Sequence, residues 1–520
     1  MPGGEGMDAE SGRGLDRVNF ALGGLLLVAL ALRIAFLNVV SADPYFYLLP
    51  WFDQLSADGL ATLRHGLVGL LGNTNANYAP PYYYLLWLAT KFADLLPPLW
   101  LIKILSFCFD PIGSFFAYKI VRLYRSKRLA VCAAVLVFAA PTAIVNDAWF
   151  GQCDMLWTSL ILGSLYFALK RESFLSIAFF ALAFSFKAQA CFFAPFLLML
   201  FLLGEIKFWS LIIAPVVYVA MLLPAIVVGV DWEFAATTYL RQGDAYHRLS
   251  SDAPNLYYAF GDNFYAQGVV LGLVLTTAAS FALAVLPRLR SATLGVNERI
   301  LAATMFLALA PFLLPKMHDR YFFAADITSI ILAVFVPRLW TIPVLLQMTS
   351  LSAYVPVVSW NFANRFLTPT MPMAVMLSTL VVGYLVYEFW RVCTRPGTVL
   401  GTKTKPLLTM AMAIIAANCS WQVIALAQHI VATHTCSADA IRSLFCIGDL
   451  PGDWMVNGSW PDWGAFALIQ LIAYLGARRA ATRIWFIAER DWFAQWSRRL
   501  GWFLRRPVSA AAPTAIVKRS

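Results

Sequence analysis

Apolar stretches of about 20 residues, the length that crosses the hydrocarbon core of a bilayer, recur along the whole chain with short polar gaps between them. They predict spans near residues 18–40, 99–120, 129–146, 154–170, 173–187, 188–204, 208–230, 264–287, 299–315, 321–337, 339–358, 369–390, 406–431 and 463–477, about 14 helices in all. The run 173–187 and its successor read either as two spans or as one broken helix. Two polar segments exceed ordinary loop length, 41–98 and 231–263, and a third covers 432–462. Within the first, Tyr45–Leu63 and Tyr82–Leu96 are apolar and aromatic but too short or too interrupted to span, and they predict helices lying in the membrane interface. Pro80-Pro81 mark the start of the second, since proline suits a first helical turn.

Composition supports an all-α polytopic membrane protein. The 520 residues are 60% hydrophobic and 13% charged, with a mean hydropathy of +0.70. No water-soluble protein of this size could bury that much apolar surface. The loop Lys119–Arg128 carries Lys119, Arg122, Arg125, Lys127 and Arg128 and no acid, which places it in the cytoplasm. Propagating that choice puts 288–299, 391–405, the leader 1–17 and the tail 478–520 inside, so both termini are expected to be cytoplasmic. The net charge of +11 is thereby explained by orientation and by anionic lipid heads, and nucleic acid is not implied. In the tail, Arg478, Arg479, Arg483, Arg498 and Arg499 alternate with Trp485, Trp492, Trp496 and Trp502, the pattern of an amphipathic helix on the inner leaflet. The leader lacks a small-residue cleavage site, so the first span is expected to remain. Ala/Arg/Gly-rich termini and compact loops point to a bacterial inner membrane.

Of the eight cysteines none forms a CxxC pair. Cys436 and Cys446 share the loop 432–462 and can form a disulfide if the compartment there is oxidising. There is no Walker motif, GxGxxG or Asp-x-Asp, and no soluble domain that would hold a nucleotide. No cofactor and no metal are expected. The chain divides into a leader, a module over 18–360 that carries the motifs, C-terminal helices over 361–477, and the basic-aromatic tail.

Candidate chemistry gathers at one predicted face. Asp43 ends the first span there beside Pro44 and Tyr45, placed to act as a general base. Asn77 and Tyr78 precede the interfacial helix. Asn146, Asp147, Gln152 and Asp154 put two amides and two acids around one short turn, the donor and acceptor mixture that sugar hydroxyls need, although a polar turn needs some of them too. Lys187, followed by Gln189, lies between two apolar runs, where an ionisable group costs roughly 3 kcal/mol or more unless it snorkels. Lys316, His318 and Arg320 follow Pro315 at alternate positions and concentrate donors where a phosphate could be held. Lys103 and Asp110, seven apart, fall on one face of a predicted helix and can neutralise each other or their neighbours.

The order of these motifs resembles that of GT-C glycosyltransferases. It runs from Asp43 through Asn77-Tyr78-Ala79-Pro80-Pro81-Tyr82, Trp149-Phe150-Gly151-Gln152-Cys153-Asp154 and Phe186-Lys187-Ala188-Gln189 to Lys316-Met317-His318-Asp319-Arg320-Tyr321. It is most similar to bacterial relatives of the dolichyl-phosphate-glucose glucosyltransferases, over residues 30–360. Those enzymes carry Asp-Tyr-Pro-Pro-Leu, Tyr-Lys-Gln and His-Glu-Lys; this chain has Asn77 for the first acid and Asp319-Arg320 for Glu-Lys. The resemblance implies inverting, metal-independent transfer of a hexose, glucose or mannose, from a polyprenyl-phosphate carrier to a lipid-linked glycan or similar acceptor at the periplasmic face. It implies Asp43 as base, with His318, Lys187, Arg320 and Lys316 at the donor phosphate. Asn77, Tyr78, Asp147, Gln152, Asp154 and Gln189 would then meet sugar or acceptor. A transporter or flippase for a lipid-linked or anionic solute is the alternative. The absence of an internal repeat in the sequence weighs against it.

Overall fold

The computed structural model describes residues 5–70, 78–244, 247–358 and 371–434. Apolar helices dominate it. Among the described residues six are long and apolar enough to cross a membrane: Pro98–Tyr124, Lys127–Trp149, Phe208–Val227, Tyr265–Leu289, Val296–Leu313 and Met371–Thr394. Five shorter apolar helices accompany them: Asn19–Ala35, Asp154–Leu169, Ser173–Phe186, Ala188–Leu202 and Phe323–Phe335. The chain is thus an all-α polytopic membrane protein in its described part. Asn77, the pair Cys436 and Cys446, the expected span 463–477 and the tail lie outside the described residues.

Sequence chemistry explains the breaks. Pro80, Pro98, Pro111 and Pro141 each occupy a first turn, where the missing N–H would be unpaired anyway. The expected span 99–120 is accordingly two helices, Pro98–Phe107 and Asp110–Tyr124. Of the two alternatives for Lys103 and Asp110, the structure has them meet neighbours and not each other: each turns to a different element, as described below. At Lys187 the backbone is extended (φ −147°, ψ 135°), separating Ser173–Phe186 from the 3₁₀ turn Ala188–Phe193 and the helix Ala194–Leu202.

Asp154–Leu169 is buried almost along its whole length and packs against Ser173–Phe186 and Asp110–Tyr124. The approach is close at its glycine: a Cβ on Gly163 would collide with the Phe179 ring, the use small residues serve where helices touch without a water-driven force. By contrast Phe208–Val227 and Tyr265–Leu289 expose Val216, Val219, Val270, Leu271 and Val274, faces that suit lipid.

The two ends of the bundle differ. At one end Glu205 receives Arg299 at 2.6 Å and Arg171 at 3.8 Å, while Arg125 donates to Asn297 and to the carbonyl of Phe335. At the other, the segment 36–70 forms a π-helical turn, Pro44–Leu48, the helix Leu49–Asp58 and a 3₁₀ turn, beside the helix Pro80–Thr90. The loop before Tyr265 is stitched to the segment after Pro315 by a short parallel pairing, Ser250 with Met317 and Ser251 with His318.

Candidate active site

Four separate stretches of sequence meet in a cleft at that second end. Its polar walls are Asp43, Tyr78, Gln152, His318 and Arg320; Tyr47, Leu48 and Trp51 supply the apolar floor. Its cavity volume is about 80 Å³, room for a small group and below the about 300–1,000 Å³ usual for sites that enclose a whole small molecule.

Asp43 stands at the mouth of the π-helical turn, its side chain 26% exposed. A second π-helical turn, Val145–Trp149, carries Asn146 and Asp147; such widened turns concentrate at functional sites. Gly151 joins the two segments. Its φ is +71°, and a Cβ there would meet Pro44 Cγ at 2.9 Å, so the turn both needs the left-handed region and leaves no room for a side chain. Gln152 then bridges the cleft: its amide donates to Asp43 and accepts from the Tyr78 hydroxyl at 2.6 Å.

Arg320 is the electrostatic centre. Its guanidinium lies 3.6 Å from Asp43, 3.8 Å from Asp154 and 3.5 Å from Asp319, above the ring of Phe150. Although burial disfavours its charge, the carboxylates of Asp43 and Asp319 outweigh that and hold it firmly protonated. Lys187 does not line the cleft. It reaches Asp154 at 2.7 Å, over the Tyr78 ring, so its charge is already matched. Asp154 also takes Asn146 Nδ2 at 2.8 Å and Trp157 Nε1 at 3.1 Å and is buried.

The cationic cluster expected at 316–320 is smaller than the sequence suggests. Lys316 adopts a left-handed backbone (φ +64°) and donates to the Tyr265 hydroxyl, away from Arg320. His318 does line the cleft, but burial, reinforced by Arg320 and Lys187, pushes its imidazole down to about 3. It is neutral at physiological pH and can offer a phosphate a hydrogen bond, not a charge. Of the expected phosphate ligands Arg320 alone brings positive charge to the lining.

Other expected residues are redistributed. Tyr78 and Gln152 are on the cleft, while Tyr82 and Tyr83 are packed in the core. Asp154 sits behind Arg320, and Gln189 faces Tyr321. Asp147 is buried on the far side of its turn, bound to Arg33 at 2.9 Å, and does not meet the cleft. It is therefore corrected from a sugar-binding to an internal ion-pair residue. Trp51 and Tyr47 escaped sequence reading because an aromatic in an interfacial helix has no marker that separates a cleft wall from a lipid anchor.

Asp319 was passed over as well. Its carboxyl is 2% exposed, Oδ2 has no hydrogen-bond partner, and burial raises it to about 7 against the pull of Arg320, with Asp43, Asp252 and Asp154 adding to the rise. A carboxyl raised on folding stabilises fully below its ordinary value near 4, and that contribution is lost as pH climbs through 7. Thermal unfolding in detergent should therefore show wild type losing stability relative to Asp319→Asn between pH 4 and 7, by on the order of a few kcal/mol. Parallel curves would remove Asp319 from this account.

Comparison with known proteins adds no relative: no family model matches the chain, and no curated protein matches it. The functional reading rests on the cleft.

Proposed function

We propose that the chain is a glycosyltransferase of the GT-C type, which moves a hexose with inversion from a polyprenyl phosphate to a hydroxyl acceptor such as a lipid-linked glycan. The observation that carries this is the pair of opposite charges on the cleft wall: Asp43, partly exposed, with Arg320 3.6 Å away. In one displacement the acceptor oxygen would bond to the anomeric carbon as its proton passes to Asp43. The bond from that carbon to the phosphate oxygen would break, and its electron pair would leave with the phosphate. Arg320 would compensate the charge that accumulates there and the His318 ring would donate to it. Asp154 and Asp319 lie off the lining, so one carboxylate faces the reacting centre. A single base suits direct inversion, whereas retention needs a second carboxylate close by.

The finer arrangement belongs to the same proposal. It has about 14 crossings, the cleft facing the periplasm of a bacterial inner membrane, and the Arg-rich end in the cytoplasm. One observation favours transport instead: Arg33, Asp110 and Asp147 are ionisable and buried within the helical bundle. Purified protein incubated with radiolabelled polyprenyl-phosphate glucose or mannose and acceptor glycolipids separates the two. Label appearing on the acceptor supports transfer; label crossing a proteoliposome membrane still attached to its carrier supports transport and ends the enzyme reading.

A further inference from the structure

We infer that Arg33 and Lys103 are positioning residues, two buried cations that set Asp43 and the Gln152–Asp154 segment at a fixed distance across the cleft. The inference rests on the transfer reading of the same cleft. Asp43 follows a stretch, residues 36–42, that has left the first helix at Ala35 and has few bonds of its own. Lys103, fully buried, supplies them: its Nζ donates to the carbonyls of Phe36 and Val39, both at 2.5 Å. The Phe36 carbonyl also accepts from Val39 N at 3.0 Å, so Lys103 clamps the turn that follows the helix end. Phe36 stacks on Trp149 at 5.0 Å, and the Ser41 hydroxyl donates to the carbonyl of Phe150 at 2.9 Å.

Arg33 holds the facing segment. Its Nη2 reaches Asp110 at 2.5 Å and its Nε reaches Asp147 at 2.9 Å. Nη2 also donates to the carbonyl of Phe138 at 3.0 Å, just before the break at Pro141. Asp147 and Asn146 are neighbours on the π-helical turn, and their side chains serve opposite sides of it. Asp147 is anchored by Arg33, while Asn146 holds Asp154 and its carbonyl accepts from Gln152 N at 2.8 Å. Gln152 in turn holds Asp43. A closed path thus runs from Lys103 through residues 36–43 to Gln152, through Asn146-Asp147 to Arg33, and back along the first helix.

Charge completes the case. Arg33, Lys103, Asp110 and Asp147 are each at most 2% exposed, and their formal charges cancel. Such a balanced set is costly to bury, and removing one member leaves an uncompensated charge, so it is weak evidence for stability by itself. What it does fix is geometry, because Arg33 ties together acids on two separate elements and Lys103 ties two carbonyls ahead of Asp43, from outside the cleft lining.

The test uses the full-length protein. Lys103→Met should lower kcat by about tenfold to a hundredfold, the cost of misplacing a reacting group by about an ångström, with the donor KM changed less than about twofold. Lys103→Arg, which can still donate to both carbonyls, should recover most of kcat. Ser41→Ala, which removes a single strap, is the milder variant for the case in which Lys103→Met does not fold, and it should show the same split at smaller size. A purely structural role would instead lower kcat in step with the folded fraction and show no rescue by arginine, and that outcome overturns the inference. A second arm needs no substrate: cysteines at 43 and 152, in a background lacking the native cysteines, are linked by a short bifunctional thiosulfonate. Linking should slow in the Lys103→Met or Ser41→Ala background, and unchanged linking sinks the proposal. If wild type transfers no sugar from any donor, the transfer reading fails and the cross-linking arm alone decides the positioning.

Discussion

Asp43→Asn is expected to leave a folded, monodisperse protein whose hexose transfer is about 10²–10⁴-fold slower, the usual contribution of general-base catalysis. The substitution keeps the size of the side chain and leaves an amide oxygen facing the Gln152 amide, so the cleft wall should persist. What disappears is the ability to take the acceptor proton. The donor KM should not rise, because the phosphate is expected to meet Arg320 and His318 and the guanidinium is then no longer shared with a carboxylate. Initial rates under saturating donor, compared with wild type across acceptor concentrations, decide the matter. A variant that keeps more than about a tenth of the rate would assign the base elsewhere, since even the low end of the range exceeds that loss.

Arg320→Ala should be comparably severe for a different reason. A charged donor placed where negative charge develops is worth about 2–4 kcal/mol in kcat/KM. The donor phosphate is charged both before and during the reaction, so the donor KM should rise and kcat should fall together. Arg320→Lys keeps the charge but not the fork that reaches Asp43, Asp154 and Asp319 at once, and only part of the activity should return. His318→Ala is expected to be milder than either, because the ring it removes is neutral. Wild-type donor dependence in purified Arg320→Ala would reduce this side chain to an internal counter-ion.

Periodicity made the membrane class and most helix positions legible, and Pro80-Pro81 placed one helix start to the residue. Of the residues singled out in the sequence, Asp43, Tyr78, Gln152, His318 and Arg320 line one cleft. What sequence could not give was partnership. Lys187 and Lys316 each read as free cations, yet one is matched by Asp154 and the other turns to Tyr265, through a left-handed residue that nothing in a Lys-Met string announces. Asp147 looked like its neighbour Asn146, but a one-residue step around a helical turn carries a side chain to another face. Arg33 was hidden inside the first apolar run, where one basic residue scarcely changes the average and its partners lie 77 and 114 positions away.

The contact between Arg320 and Asp43 also bears on the order of events. In the resting cleft Oδ2 of Asp43 takes the Gln152 amide and faces the guanidinium at 3.6 Å. The carboxylate is thus held against a cation before any substrate arrives. A donor phosphate competes for the same guanidinium and, in drawing it away, would release the carboxylate for use. Turnover on the proposed reading should then be compulsory-ordered with the carrier-linked sugar leading, and a non-reactive acceptor analogue should inhibit uncompetitively against the donor. One arginine shared between two anions would thus keep the enzyme idle until there is something to transfer.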